Sequence, residues 1–142
     1  MLYLNQLVRV RADLAFLRRA AAELCRKTGR RGDLSITFCS ARQIQRLNQK
    51  FRRDNKPTDV LSFDSGDIVI APAVARSNAR KYRQTLTAEL LYLIIHGLCH
   101  LRGHDHSGPA DTARMRRAEN RLLAYTRKKY NIQLTGRINA LS

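Results

Sequence analysis

The sequence predicts an α+β fold, a single domain in which a small mixed sheet of about four strands packs with helices. Three observations predict it. Short runs alternate apolar and polar residues, most strictly in Leu34–Phe38, and this period indicates strands. Longer runs repeat their apolar residues at helical spacing. Between Leu90 and Leu101 almost every residue is apolar, which is typical of the most buried helix of a domain.

The first half of the chain alternates strands with helices. Leu2–Val10 predicts an edge strand, and Ala12–Thr28 predicts a helix that Gly29 ends. After the next strand, Ser40 is followed three residues later by Gln43, which is a capping-box pattern. The sequence therefore predicts a second helix from this point.

The second half begins with a predicted hairpin and continues with three predicted helices. The strands Asp59–Phe63 and Asp67–Ile70 are separated by the turn residues 64–66. The order βαβαββααα, without internal repeats, indicates one domain over residues 1–142, with a basic tail from about residue 130. The predicted helices run from Pro72 to about Arg83, from a cap at Thr85 or Thr87 through Leu98, and from Pro109 through Tyr125.

The chain carries a large surplus of positive charge. It has 27 Lys and Arg against 11 Asp and Glu, a formal net charge of +16. Because such a surplus costs self-repulsion in the compact state, it indicates a polyanionic partner. RNA or DNA is the leading partner, and an anionic membrane surface or simple solubility is the alternative. With few aromatic residues, recognition of phosphates and shape is favoured over base reading.

The cysteines predict a reducing, cytoplasmic location. Cys25, Cys39 and Cys99 are far apart and form no C-x-x-C pair, as expected of reduced thiols. We expect Cys99 to lie in the core. No secretory signal is visible at the start of the chain, and the apolar run Leu90–Leu101 is too short to span a bilayer.

All four histidines fall within one segment, His96–His106. His96 and His100 are four residues apart, so on a helix their side chains share one face. Gly103 can end that helix and return His106 toward them. Isolated surface or core histidines are the alternative, but three imidazoles so arranged match a catalytic zinc site with an open fourth position. We therefore predict one zinc ion held by His96, His100 and His106.

Gly97 lies where a zinc protease of this spacing carries its general-base glutamate, which disfavours a peptidase. A glycine inside a helix also costs about 1 kcal/mol relative to a good helix former. Close approach of the backbone to a ligand or to a neighbouring element would account for it, and so would close helix packing.

A second polar segment, residues 48–63, joins a predicted helix to a predicted strand. Its composition is compatible with an ordinary basic turn or with a site. Together with the histidines, it closely resembles the YbeY family of endoribonucleases that mature ribosomal RNA. The matching blocks are Asn48-x-x-Phe51-Arg52, Pro57-Thr58-Asp59-Val60-Leu61-Ser62-Phe63, Gly66-Asp67-Ile68 and His96-Gly97-x-x-His100-Leu101-x-Gly103-x-Asp105-His106.

The resemblance implies a zinc-dependent, single-strand-specific endoribonuclease of the cytoplasm. Its expected substrate is precursor RNA of the small ribosomal subunit, cut at the 3′ end, and the RNA of defective ribosomes. By position, His96, His100 and His106 match the three zinc ligands of the family, and Arg52 matches an arginine important for activity. Arg53 and Lys56 are expected to bind substrate beside Arg52, and protein partners on the ribosome are compatible with this function.

The chain departs from the family pattern at two places. His104 replaces the usual Tyr or Phe and adds an imidazole that could bind the metal, donate to a phosphate or face solvent. After Phe63 the turn closes at once, without the usual proline and longer insertion.

Two features of the predicted mechanism remain open. Asp105 is a candidate to orient a ligating histidine. The nucleophile, either water or the ribose 2′-hydroxyl, stays open.

Two other functions remain alternatives. One is a ribosome-assembly factor that binds RNA and whose metal is structural. The other is a metal-dependent hydrolase of a different substrate, including peptides, which Gly97 and the positive charge disfavour.

Overall fold

The structure is a computed structural model that describes residues 1–102 and 108–135. Its elements follow the order that the sequence predicts. They are β1 (Leu2–Gln6), α1 (Leu14–Lys27), β2 (Leu34–Phe38), α2 (Ala41–Arg52), β3 (Val60–Phe63), β4 (Asp67–Ile70), α3 (Pro72–Lys81), α4 (Leu86–Leu101) and α5 (Pro109–Tyr130).

The four strands form one mixed sheet in the order β1-β2-β4-β3. β1 pairs with β2, and β2 with β4, in parallel, whereas β3 and β4 form an antiparallel hairpin. Ile36 of β2 lies opposite Leu4 and Ile68 of its two neighbours. Gly66, with φ of 98°, closes the hairpin turn, in a backbone region that favours glycine. The predicted α+β fold with a mixed sheet and an edge strand β1 is confirmed.

α4 is the central helix, as predicted from its apolar composition. Every residue from Ala88 to Cys99 is buried. It contacts the sheet and lies against α1, α3 and α5. Cys99 belongs to this core, as expected, and burial raises the pKa of its thiol to about 12. Among the described residues, no helix is long and apolar enough to cross a membrane.

The two faces of the sheet carry different helices. Ile68 and Ile70 point into the main core with α4, so Val69 between them points to the opposite face. There it packs in a smaller cluster with Ile44 of α2 and Leu61 of β3. α2 and α4 therefore approach the sheet from opposite sides, although both end near β3.

The structure corrects the end of the first predicted strand and decides between the two predicted caps of α4. The sequence predicts a strand from Leu2 to Val10, but β1 ends at Gln6. Val10, which continued the apolar pattern, packs in the hydrophobic core and does not pair with a neighbouring strand. Thr85, not Thr87, caps α4, since its hydroxyl accepts the Ala88 N–H. Within the predicted tail from about residue 130, Leu134 is buried and the Arg127 Nε donates to its carbonyl at 2.7 Å.

Candidate functional site

His96 and His100 lie one turn apart near the carboxyl end of α4. Their Nε2 atoms are 3.1 Å apart, and their ring centroids are separated by 4.6 Å. His96 is buried, with 7% of its surface exposed, and His100 is half-buried. The helix therefore places the Nε2 atoms of the two imidazoles next to each other, as the spacing of four residues predicts.

The second ring nitrogen of His96 is held by Glu119, a residue of α5. Nδ1 lies 2.8 Å from Glu119 Oε2, and the Tyr92 hydroxyl donates to Oε1 over 2.7 Å. The side chains of His96 and Glu119 are only 9% and 12% exposed. A carboxylate accepts hydrogen bonds but does not donate them, so Nδ1 of His96 carries the hydrogen of this contact, and Nε2 is the ring nitrogen that faces His100.

Glu119 stays ionised despite its burial. Desolvation alone would raise its pKa, but the hydrogen bonds from His96 and Tyr92 and the attraction of both imidazoles outweigh it and lower the pKa. The sequence reasoning missed Glu119. The available signal was its place between Met115, Ala118 and Leu122, which form the buried face of α5.

Gly97 allows α4 to approach the sheet closely. A Cβ atom at Gly97 would lie 2.8 Å from Ile68 Cδ1 and 3.0 Å from Ser62 Oγ. Both distances are shorter than ordinary van der Waals contacts. Close approach to a neighbouring element, one of the explanations that the sequence left open, therefore accounts for this glycine.

Arg52, at the end of α2, reaches β3 beside the histidine helix. Its Nη2 donates to the Ser62 carbonyl oxygen at 2.8 Å, and its guanidinium carbon lies 5.7 Å from the Phe63 ring centroid. Because Ser62 also faces Gly97, one strand residue connects Arg52 to the turn of α4 that carries His96. Arg52 is exposed and has five N–H donors, so the bond to Ser62 leaves donors for an anion.

The other predicted site residues divide into two groups. Arg53 ends α2 in the left-handed conformation, and Lys56 lies in the following loop, where the Asn48 side chain donates to its carbonyl at 2.9 Å. Both are exposed cations near Arg52 in the chain. His104, Asp105 and His106 lie outside the described residues. Within residues 1–102 and 108–135, no group of three or more potential metal ligands occurs, so the third ligand stays a prediction.

The fold and site define a class of small α+β proteins that present two imidazole nitrogens from a buried helix, with a guanidinium from a second helix held against the adjoining strand. The family model of Endoribonuclease YbeY matches residues 9–127. The chain belongs to the YbeY family, which confirms the family predicted from the sequence.

Individual relatives agree with this assignment. Endoribonuclease YbeY of Myxococcus xanthus is 39% identical over 104 residues, which are 64% of this chain and 35% of the relative. That of Carboxydothermus hydrogenoformans is 34% identical over 120 residues, or 78% and 84% of the two chains. A Thermotoga maritima protein solved in solution is similar over 92% of both chains, with a TM-score of 0.68 and 27% identity. The chain thus spans about a third of the Myxococcus relative and most of the other two.

Proposed function

We propose that this protein is a cytoplasmic, zinc-dependent endoribonuclease that cleaves single-stranded precursor RNA of the small ribosomal subunit near its 3′ end. The observation that carries the proposal is the pair of facing Nε2 atoms of His96 and His100, with the His96 ring oriented by Glu119. The exposed Arg52 and the net charge of +16 support an anionic polymer as substrate.

The donor set fits a zinc ion. Two nitrogens at roughly 2.0–2.1 Å from zinc in a tetrahedral site lie about 3.3 Å from each other. The Nε2 atoms of His96 and His100 are 3.1 Å apart, close to that value. A carboxylate on the far nitrogen, as Glu119 provides, is the usual outer partner of a metal-bound histidine. His96 and His100 would hold the ion with His106 as third ligand, and His104 is a competing imidazole.

When bound, zinc would activate a water molecule and polarise a phosphoryl oxygen. Arg52 would bind the scissile phosphate and stabilise the negative charge that develops on it. The Ser62 carbonyl holds the guanidinium in place for this contact. Arg53 and Lys56 would bind neighbouring phosphates, and Asp105 is a further candidate to orient a ligand. Glu119 keeps a proton on Nδ1 of His96, so that Nε2 remains a ligand.

The test is cleavage of a single-stranded RNA that carries the 3′ end of a small-subunit precursor. We expect zinc-loaded protein to cut this RNA, to leave casein intact and to lose activity on chelation. Products with a 5′-phosphate would identify water as the nucleophile, and a 2′,3′-cyclic phosphate would identify the ribose 2′-hydroxyl. Zinc-loaded protein that binds the RNA but never cuts it would contradict the proposal in favour of an assembly factor with a structural metal.

A further inference from the structure

One face of α2 presents a row of three cations to solvent. Arg42, Arg46 and Lys50 are spaced four residues apart, and all three are exposed. Side chains at this spacing share a face, about 6 Å apart along the helix axis. The opposite face of α2 is fixed to the protein through buried Ile44 and Asn48. We call these three cations the α2 row.

The α2 row lacks acidic partners in the part of the chain that the structure describes. The ion pairs there join other residues, namely Met1 with Asp33, His96 with Glu119, Arg114 with Asp111 and Lys129 with Glu23. Three like charges on one helix face repel each other, at a cost that an external anion would offset. The row therefore fits a partner with regularly spaced negative charges.

The α2 row ends in the same turn of α2 as Arg52. Lys50 and Arg52 share the last turn of α2, and Arg52 reaches Ser62 beside Gly97 of the histidine helix. From Lys50 the row runs eight residues back to Arg42, a distance of about 12 Å along the helix axis. Arg52 continues the spacing of Ile44 and Asn48 and so lies on the other face of α2, and a polyanion held at Arg52 would reach the row by passing around the carboxyl end of the helix.

A groove lies beside the row, between α2 and the outer face of the sheet. It has a volume of about 340 Å³, with Arg46 and Lys50 in its lining. Leu47 of α2 and Val69 of β4 give it apolar surface. The lining contains no aromatic ring, so it offers space for sugars and bases without a stacking platform. Cations beside such a groove suit a single strand bound through its backbone.

We propose that the α2 row binds the phosphates of the single-stranded RNA that extends beyond the scissile phosphate at Arg52. The sugars and bases of that RNA lie along the adjacent groove and are held without sequence preference. This inference rests on the proposed function, because it takes RNA as the ligand. The row adds affinity for longer RNA and takes no part in bond cleavage.

The test measures binding of a fluorescent 12-nucleotide single-stranded RNA to the full chain in a chelating buffer, where cleavage is absent. The variant combines Arg42→Ala, Arg46→Ala and Lys50→Ala. The matched control combines Arg18→Ala, Arg19→Ala and Arg26→Ala, which remove the same charge from exposed positions of α1. Each phosphate contact contributes about 0.7 to the slope of log K against log salt. We expect the slope of the α2 variant to be about 2 units shallower, and its affinity at 0.1 M salt to be about tenfold lower.

Further measurements distinguish RNA binding by the α2 row from a general effect of the protein's net charge. The control variant should keep the wild-type slope, and a four-nucleotide RNA should bind the α2 variant as well as it binds the wild type. A variant with Arg42→Lys and Arg46→Lys should retain the slope, because positive charge at these positions is sufficient, and an unchanged melting temperature of the alanine variant checks that it is folded. Equal weakening in the α2 and α1 variants would overturn this inference while RNA remains the ligand. If the wild type bound no RNA, the proposed function itself would fail.

Discussion

Glu119 and Glu23 each join the last helix, α5, to a neighbouring helix, and each accepts hydrogen bonds from tyrosine. Glu119 lies on α5 and binds Tyr92 and His96 of α4. Glu23 lies on α1 and binds the hydroxyls of Tyr125 and Tyr130 of α5. The two clusters fasten opposite halves of the same helix with similar chemistry.

Their partners and burial differ. The Glu23 side chain is 26% exposed and pairs with the Lys129 ammonium at 3.3 Å, whereas the Glu119 side chain is 12% exposed and pairs with an imidazole. An imidazole that donates one N–H to a carboxylate has a second ring nitrogen that can bind a metal ion. A tyrosine hydroxyl and a lysine ammonium have no such second nitrogen. The contacts of Glu23 join α1 to α5. The same carboxylate chemistry at Glu119 orients the imidazole of His96, which is a proposed metal ligand.

The largest expected effect follows from removing a ligand of the histidine cluster. His100→Ala should abolish stoichiometric zinc binding and reduce RNA cleavage below detection, because it leaves one imidazole on α4. Equilibrium dialysis with zinc, together with a cleavage assay on the same preparation, checks this. Glu23→Ala is the control and should keep both properties. Full zinc content in the His100→Ala protein would show that these histidines are not ligands.

Arg52→Ala should lower the rate of RNA cleavage by roughly 10²–10³-fold, the usual effect of removing one donor that stabilises transition-state charge. Its zinc content should not change, since Arg52 contacts Ser62 and Phe63 rather than the histidines. Single-turnover cleavage and metal analysis measure the two effects separately. A matching loss of zinc would mean that Arg52 supports the structure of the site instead of acting on RNA.

Glu119→Ala should weaken zinc binding by about 10–100-fold, the range for an outer partner of a metal-bound histidine. Glu119→Gln keeps an acceptor for the His96 Nδ1–H and should bind zinc more tightly than the alanine variant. Zinc competition titrations measure the affinities, and nitrogen NMR of His96 reports which ring nitrogen carries the proton. Glu23→Gln should change neither. If Glu119→Ala changed neither the zinc affinity nor the tautomer of His96, Glu119 would have no more influence on the site than Glu23.

The smallest effect concerns pH and the Glu23 cluster. Hydrogen bonds from Tyr125 and Tyr130 lower the pKa of Glu23 from 4.5 to about 2. A depressed carboxyl pKa stabilises the fold above the unfolded value, and this contribution is lost as the pH falls from about 4.5 toward 2. The wild type should therefore melt above Glu23→Gln at pH 6, and the difference should shrink toward pH 2. A difference that does not depend on pH would contradict this explanation.

The sequence could predict what depends on neighbouring positions in the chain. The spacing of His96 and His100 already implied two imidazoles on one helix face, and the predicted order of strands and helices agrees with the structure. The pairing of His96 with Glu119 spans 23 residues and depends on how α5 packs on α4, which no local pattern specifies. A carboxylate beside the apolar positions of the amphipathic helix α5 was the one available sign.

Gly97 is a second case in which the explanation depends on residues that are distant in the chain. The sequence showed that a glycine stood in a helix and needed a reason, but its reason lies in Ile68 and Ser62 of two strands. Sequence reasoning also assigned residues after 130 to a tail, although Leu134 is buried. Ile132 and Leu134 alone, in a short polar stretch, give too little periodicity to predict packing.

The most direct test of the central claim is the zinc content of the purified protein, measured together with its RNase activity as metal is removed and restored. We expect one zinc ion per chain, cleavage in proportion to zinc occupancy, and loss of both in His100→Ala. Full cleavage activity in metal-free protein would contradict it.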